Sequence, residues 1–191
     1  MATDLGRPRD PRIDDAVLRA TVELLATSGY ADLSVDAIAR RAGTSKPAIY
    51  RRWPSKAHLV HEAVFPVSEA TELPDTGSLA DDVREMVRRS TAVLTTPAAR
   101  AATPGLLAEM ATDPALHAKL LDRFRDVTIL GMTERLAAAK RRGEVRDGVT
   151  AADLVEAIAG MALMAIITRN RALDDDWVQR TATLITKGIS G

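Results

Sequence analysis

Apolar residues along this chain recur every three or four positions and hardly ever alternate with polar ones, so the pattern predicts helices and no sheet. Ile13, Val17, Ala20 and Leu24 make the first stripe, with Leu25 beside it, and Gly29 stands where a C-terminal glycine closes a helix. Ser34 is placed to cap a short helix through Arg41, buried through Ala37 and Ile38 and ended by Gly43. After a tight turn, Thr44 or Ser45 can cap a third helix that carries Pro47 in its first turn, where a missing N–H is harmless, and runs to about Trp53. Pro54 and Ser55 start a fourth helix on Leu59, Val60, Ala63 and Val64, and Pro66 stops it.

The stretch Pro66 to Gly77, rich in proline and polar residues, reads as a linker. Beyond it, Ser78 and Asp81 have capping-box spacing ahead of Val83, Met86, Val87, Ser90 and Leu94. A sixth helix is expected to be split or kinked at Pro104 and to end near Ala111. The longest helix opens at Asp113 and Pro114, carries Leu116, Leu120, Phe124, Val127, Leu130 and Leu136, and stops at Gly143. Thr150 and Asp153 repeat the capping-box spacing before a helix that is apolar all round from Ala157 to Ile167, and the last helix follows Asp174, Asp175 and Asp176. The result is an all-α chain of about nine helices. It divides into an arm at 1–11, three short helices and a fourth over 12–65, a linker at 66–77 and a helical domain over 78–191.

Composition narrows the chemistry. There is no cysteine, which removes disulfides and thiolate sites and fits a reducing compartment. Met1 to Pro11 has charge and proline where a signal peptide needs an apolar run, and by this reading no apolar segment approaches the ~20 residues of a membrane span, so the expectation is a soluble, cytoplasmic protein with no membrane partner. Acidic and basic residues balance at 26 each, yet from Ala37 to His58 the charges are Arg40, Arg41, Lys46, Arg51, Arg52 and Lys56, with no acid among them. His58 with His61, and Asp113 with His117, have spacings a metal could use, but three histidines without cysteine read as surface or packing residues. Asp81, Asp82 and Glu85 should face mostly outward as capping and solubility residues. No nucleophile elbow and no glycine-rich phosphate loop occurs, so no enzyme activity, metal or cofactor is expected.

Two short helices joined by a tight glycine turn, behind a first helix, form a helix-turn-helix plan whose third helix enters the major groove. The residues carry a more specific likeness: Gly29-Tyr30, Ser34-Val35 leading to Ile38-Ala39, Ala42-Gly43-Thr44-Ser45-Lys46, Ile49-Tyr50, and Trp53-Pro54-Ser55-Lys56 before Leu59. In that ordered set the chain resembles the TetR family of transcriptional regulators. It departs from the family at Tyr50-Arg51-Arg52-Trp53, where histidine and phenylalanine are common at the last two places, and at Leu25, where an aromatic is frequent.

The resemblance implies a homodimeric regulator, most simply a repressor, that binds a palindromic double-stranded operator and is released by a small, largely apolar effector. Ser45, Lys46, Pro47 and Ala48 would meet base edges. Tyr50 and Lys56 would touch the phosphate backbone, with Ser34, Arg40, Thr44, Arg51 and Arg52 in the same interface. Gly6-Arg7-Pro8-Arg9 with Arg12 could form a minor-groove arm or a solvated tail. The effector pocket implied by the family plan is lined by Leu107, Met110, Leu120, Phe124, Val127 and Met164. Helices eight and nine should form the dimer interface through Leu154, Ile158, Met161, Ala162 and Ala165 and through Trp177, Thr181, Leu184 and Gly188. Two alternatives stay open: an all-helical small-molecule enzyme or carrier, and an architectural DNA-binding protein that answers to no effector.

Overall fold

Each helix after the first starts where the sequence supplies an oxygen for its first turn. In a computed structural model of the chain, which describes residues 11–66, 76–168 and 173–190 and leaves the side chains of 123–128 and 130 outside the description, nine α-helices and no strand occur among the described residues. They are α1 (Pro11–Asp32), α2 (Val35–Ala42), α3 (Lys46–Tyr50), α4 (Lys56–Val64), α5 (Leu79–Leu94), α6 (Pro97–Thr112), α7 (Pro114–Arg141), α8 (Ala151–Thr168) and α9 (Asp175–Ile189). Side-chain oxygens of Ser34, Ser45, Ser55, Ser78, Thr96, Asp113 and Asp174 accept backbone N–H groups at the starts of α2 to α7 and α9. At α8 the capping box is reciprocal: Asp153 N–H donates to Thr150 Oγ1 (3.1 Å) while Thr150 N–H donates to Asp153 Oδ2 (2.9 Å). Each such cap stabilises its helix by about 1 kcal/mol.

Several expectations change in detail. Along α1 the buried positions ahead of Gly29 are Val17, Ala20, Thr21 and Leu25, so the stripe turns toward Leu25 and leaves Ile13 exposed and Leu24 half-buried. Gly29 does interrupt α1, at φ +75°, but helical geometry resumes through Asp32. In α2 the buried residues are Val35, Ile38 and Ala39, with Ala37 half-exposed. The third helix ends at Tyr50, because Arg51 and Arg52 close it with a turn before Trp53. Pro104 does not split α6: its absent N–H removes one bond within a helix that continues on both sides. Asp82 is buried, not outward, since its Oδ1 accepts from Thr76 N–H (3.1 Å) and Thr76 Oγ1 (2.7 Å) and so ties the segment before α5 to the helix.

The buried residues form two clusters, and their border does not follow the linker. The first joins Val17, Leu25, Ile38, Ile49, Trp53 and Leu59 from α1 to α4 with Ala98, Ala99, Ala102 and Leu106 of α6 and Leu116 and Leu120 of α7. The second joins Val83 and Val87 of α5, Met132 and Leu136 of α7, Leu154, Ile158 and Ala162 of α8, and Trp177 and Ile185 of α9. Helix α7 runs through both. Helix α8 has the length and apolarity of a marginal membrane span, more than the sequence reading allowed, yet it lies in the second cluster and carries Asp153 and Glu156.

One side chain joins the first four helices to α6. Because Gly29 breaks α1 just ahead of it, Tyr30 turns onto α6, where a Cβ at Gly105 would collide with ring atoms Cδ1, Cγ and Cε1. The Tyr30 hydroxyl donates to Glu109 Oε1 at 2.7 Å. Lys56 of α4 donates to the Tyr30 carbonyl at 3.0 Å, its ammonium 4.3 Å from the ring centroid. Burial first, and then the Glu109 bond, push the phenol well above its ordinary pKa, so it remains a donor at every physiological pH. Gly105→Ala should therefore destabilise the chain by about 1–3 kcal/mol through overpacking, against at most ~1 kcal/mol gained in helix propensity. A urea midpoint that rises in this variant contradicts the close packing of Tyr30 on α6.

Candidate nucleic-acid interface

The α2–α3 unit is built by local rules. Gly43 takes φ +66°, a left-handed conformation that side chains rarely adopt, and Thr44 N–H reaches back to the Ala39 carbonyl (3.0 Å) to close α2. Ser45 Oγ accepts from Ala48 N–H, and Pro47 follows in the first turn of α3. Buried Ile49 and Trp53 then fix α3 to the first cluster on one side. The other side faces solvent: Ser45, Lys46, Pro47 and Tyr50 are exposed, with Thr44 and Ala48 half-buried beside them. Ser34, Arg40 and Arg51 are exposed as well.

Charge on this surface is less free than the sequence suggested. Lys46 donates to Asp36 Oδ2 at 2.8 Å, and that bond raises the lysine pKa. Arg41 donates to Glu23 Oε2 at 2.6 Å, and Arg52 pairs with Asp14. Lys56 is half-buried on Tyr30, so its ammonium serves the joint between α1 and α4. Arg40 and Arg51 have no carboxylate partner among the described residues. Sequence reasoning missed Asp36, Glu23 and Asp14. Asp36 lies one place outside the acid-free run, and the other two lie on α1, where no spacing within one helix relates them to the patch. Next to Lys56, His58 accepts or donates through Nδ1 to Ser55 Oγ (2.9 Å), and burial, aided by Lys119, lowers its pKa and keeps it neutral.

The residues expected to line a pocket differ in exposure among the described side chains. Leu107 is 39% and Met164 59% exposed, Leu120 belongs to the first cluster, and Met110 packs at its margin. Phe124 and Val127 lie outside the described side chains. The residues expected at the dimer interface divide between two faces of α8 and α9. Leu154, Ile158, Ala162, Ala165, Trp177 and Thr181 are buried in their own subunit's core, because a helix apolar all round offers two faces that periodicity cannot tell apart. The outward face carries Ala157, Gly160, Met164 and Ile167 on α8, with half-buried Met161, and Leu184 and Gly188 on α9. A groove of about 470 Å³ opens there, between residues 146–149, the start of α8 and the end of α9, with Ala157, Leu184 and Gly188 in its walls.

Residues 17–63 match the family described as bacterial regulatory proteins of the TetR family, and residues 73–185 match the tetracycline repressor-like C-terminal domain. The chain is 33% identical, over 91% of its length and 87% of the relative's, to an uncharacterised helix-turn-helix transcriptional regulator of Mycobacterium tuberculosis. It is 30% identical, over 86% of its length and 87% of the relative's, to a DNA-binding transcriptional repressor of Mycobacteroides abscessus. The crystal structure of a TetR family transcription regulator, SCO0332, superposes with a TM-score of 0.65 at 29% identity, covering 94% of this chain and all of that one. With both halves matched in order, the chain belongs to the TetR family of helix-turn-helix transcriptional regulators.

Proposed function

We propose that the protein is a homodimeric repressor that works in the cytoplasm, occupies a near-palindromic operator and is released when a small, largely apolar molecule binds its C-terminal helices. The observation that carries the operator reading is α3, held to the core by Ile49 while Lys46, Pro47 and Tyr50 stand in solvent. On this reading the DNA-binding domain spans residues 12–65 and the regulatory and dimerisation domain 78–191. Repression is the mode favoured by likeness to the mycobacterial repressor. Operators read by TetR-family dimers are two-fold related, and two recognition helices meet successive major grooves about 34–36 Å apart.

Pairing of two subunits through the outward face of α8 and α9 is supported by Met164, Ile167 and Leu184, each about 60% exposed, and by the groove beside Leu184, which a second copy would cover. Effector release is supported by the division of the core: α7 belongs to both clusters, so a ligand that shifts α7 or α6 displaces the helices that read DNA.

Four outcomes follow. Tyr50→Ala should weaken binding to every duplex by roughly the same factor without changing the preferred sequence, since Tyr50 is exposed on α3 and on this reading contacts a phosphate; selection of sites from random duplex DNA, followed by titration, measures both. Leu184→Asp or Ile167→Asp should yield folded monomers by sedimentation, because a charge cannot be buried unpaired in the interface. Ala162→Asp should instead unfold the subunit, as Ala162 is fully buried. Finally, an apolar compound that raises the melting temperature in a screen should lower operator affinity, and saturating operator should lower compound affinity by the same factor. Stabilising compounds that never alter operator affinity would falsify the release mechanism.

A further inference from the structure

Lys46 opens α3 and is the only charged residue of that helix. Asp36, whose carboxylate it meets at 2.8 Å, lies in the first turn of α2, where the positive end of the helix dipole favours an acid. The pair therefore spans the two helices of the reading unit across the Gly43 turn. Both side chains are about half exposed, so their attraction adds little to fold stability. Its consequence lies in what the ammonium can do next.

An ammonium has three N–H donors, and Asp36 takes one, leaving two. Guanine presents two acceptors, N7 and O6, side by side on its major-groove edge. A lysine–aspartate pair also carries no net charge, so it gains little from a phosphate and releases no counterion on binding. Arg40 and Arg51, exposed and without carboxylates among the described residues, are better suited to the phosphates. We propose that Asp36 is a specificity-determining positioning residue that holds Lys46 to a guanine in each operator half-site and keeps it off the phosphate backbone. The inference rests on the reading of α3 as the helix that enters the groove.

The test uses the full-length protein, with sites selected from random duplex DNA and affinities titrated against salt for wild type, Asp36→Asn, Asp36→Glu and Lys46→Ala. Wild type should select one G·C pair per half-site at which substitution lowers affinity roughly tenfold or more. Asp36→Asn and Lys46→Ala should both lose that preference, and Asp36→Glu should retain it. Asp36→Asn should also bind random-sequence duplex more tightly, with the slope of log affinity against log salt steeper by about 0.9 per subunit, as one more phosphate is neutralised. Lys46→Ala should leave the wild-type slope unchanged. Wild-type base preference and slope in Asp36→Asn would overturn the inference alone, as would a slope that flattens by about 0.9 in Lys46→Ala, the mark of a phosphate anchor. A wild-type protein that selects no duplex would overturn the groove-entry reading and this inference with it.

Discussion

Where α1 breaks at Gly29, the Tyr30 ring leaves the α1 stripe and settles on α6, and the orientation of the DNA-reading helices follows from that contact. Small residues make it possible. Ala98, Ala99 and Ala102 are buried along the side of α6 that meets the first cluster, and Gly105 extends that side under the ring, so α1 and α6 approach closely enough for extensive packing. Lys56 ties α4 to the same residue through the Tyr30 carbonyl, while Glu109 holds the hydroxyl. The reading helices consequently have no core of their own. Val17, Ile38, Ile49 and Leu59 share one with Leu106, Leu116 and Leu120, so α6 and the start of α7 complete the core under the DNA-reading helices.

Electrostatics follow the same economy of position. The chain is neutral overall, and three cations on or beside the reading unit, Arg41, Lys46 and Arg52, are held by acids of α1 and α2. The exposed pairs Arg41–Glu23 and Lys46–Asp36 contribute about 0–1 kcal/mol each to folding, so they are poorly explained as staples. They do lower the net positive charge that an approaching duplex meets. Since non-specific affinity comes almost wholly from phosphate neutralisation, a half-neutralised surface favours the matched site over the surrounding genome.

What could be read from the sequence was whatever is decided locally. Ser34, Ser45, Ser55, Ser78, Asp113, Thr150 and Asp174 all lie next to the helices they cap, and a cap involves only residues two or three places apart. The glycine turn was legible for the same reason. Facing was not legible on α8, because Leu154, Ile158 and Ala162 look the same in sequence as Gly160, Met164 and Ile167, and only packing on α5 and α7 decides which set is enclosed. Nor could Tyr30 and Glu109, or Asp36 and Lys46, be paired by any periodicity, since each pair lies on different helices.

The Tyr30–Glu109 bond also sets a scale for the proposed release. Helix α7 carries Leu116 and Leu120 in the first cluster and Met132, Leu136 and Ala139 in the second, and α6 ends at Asp113, the residue that caps α7. Glu109 sits on the last turn of α6, whose C-terminal Asp113 accepts the first N–H groups of α7, so displacement of α7 reaches the Tyr30 hydroxyl within a few residues. A hydrogen bond to a charged group contributes about 1.5–3 kcal/mol, and about 1.4 kcal/mol is a factor of ten in an equilibrium constant. Loss of this one bond in one of two conformers is therefore enough to shift their ratio tenfold or more. No larger rearrangement of the core is needed for an effector to change operator affinity by the 5- to 150-fold (about 1–3 kcal/mol) typical of allosteric coupling.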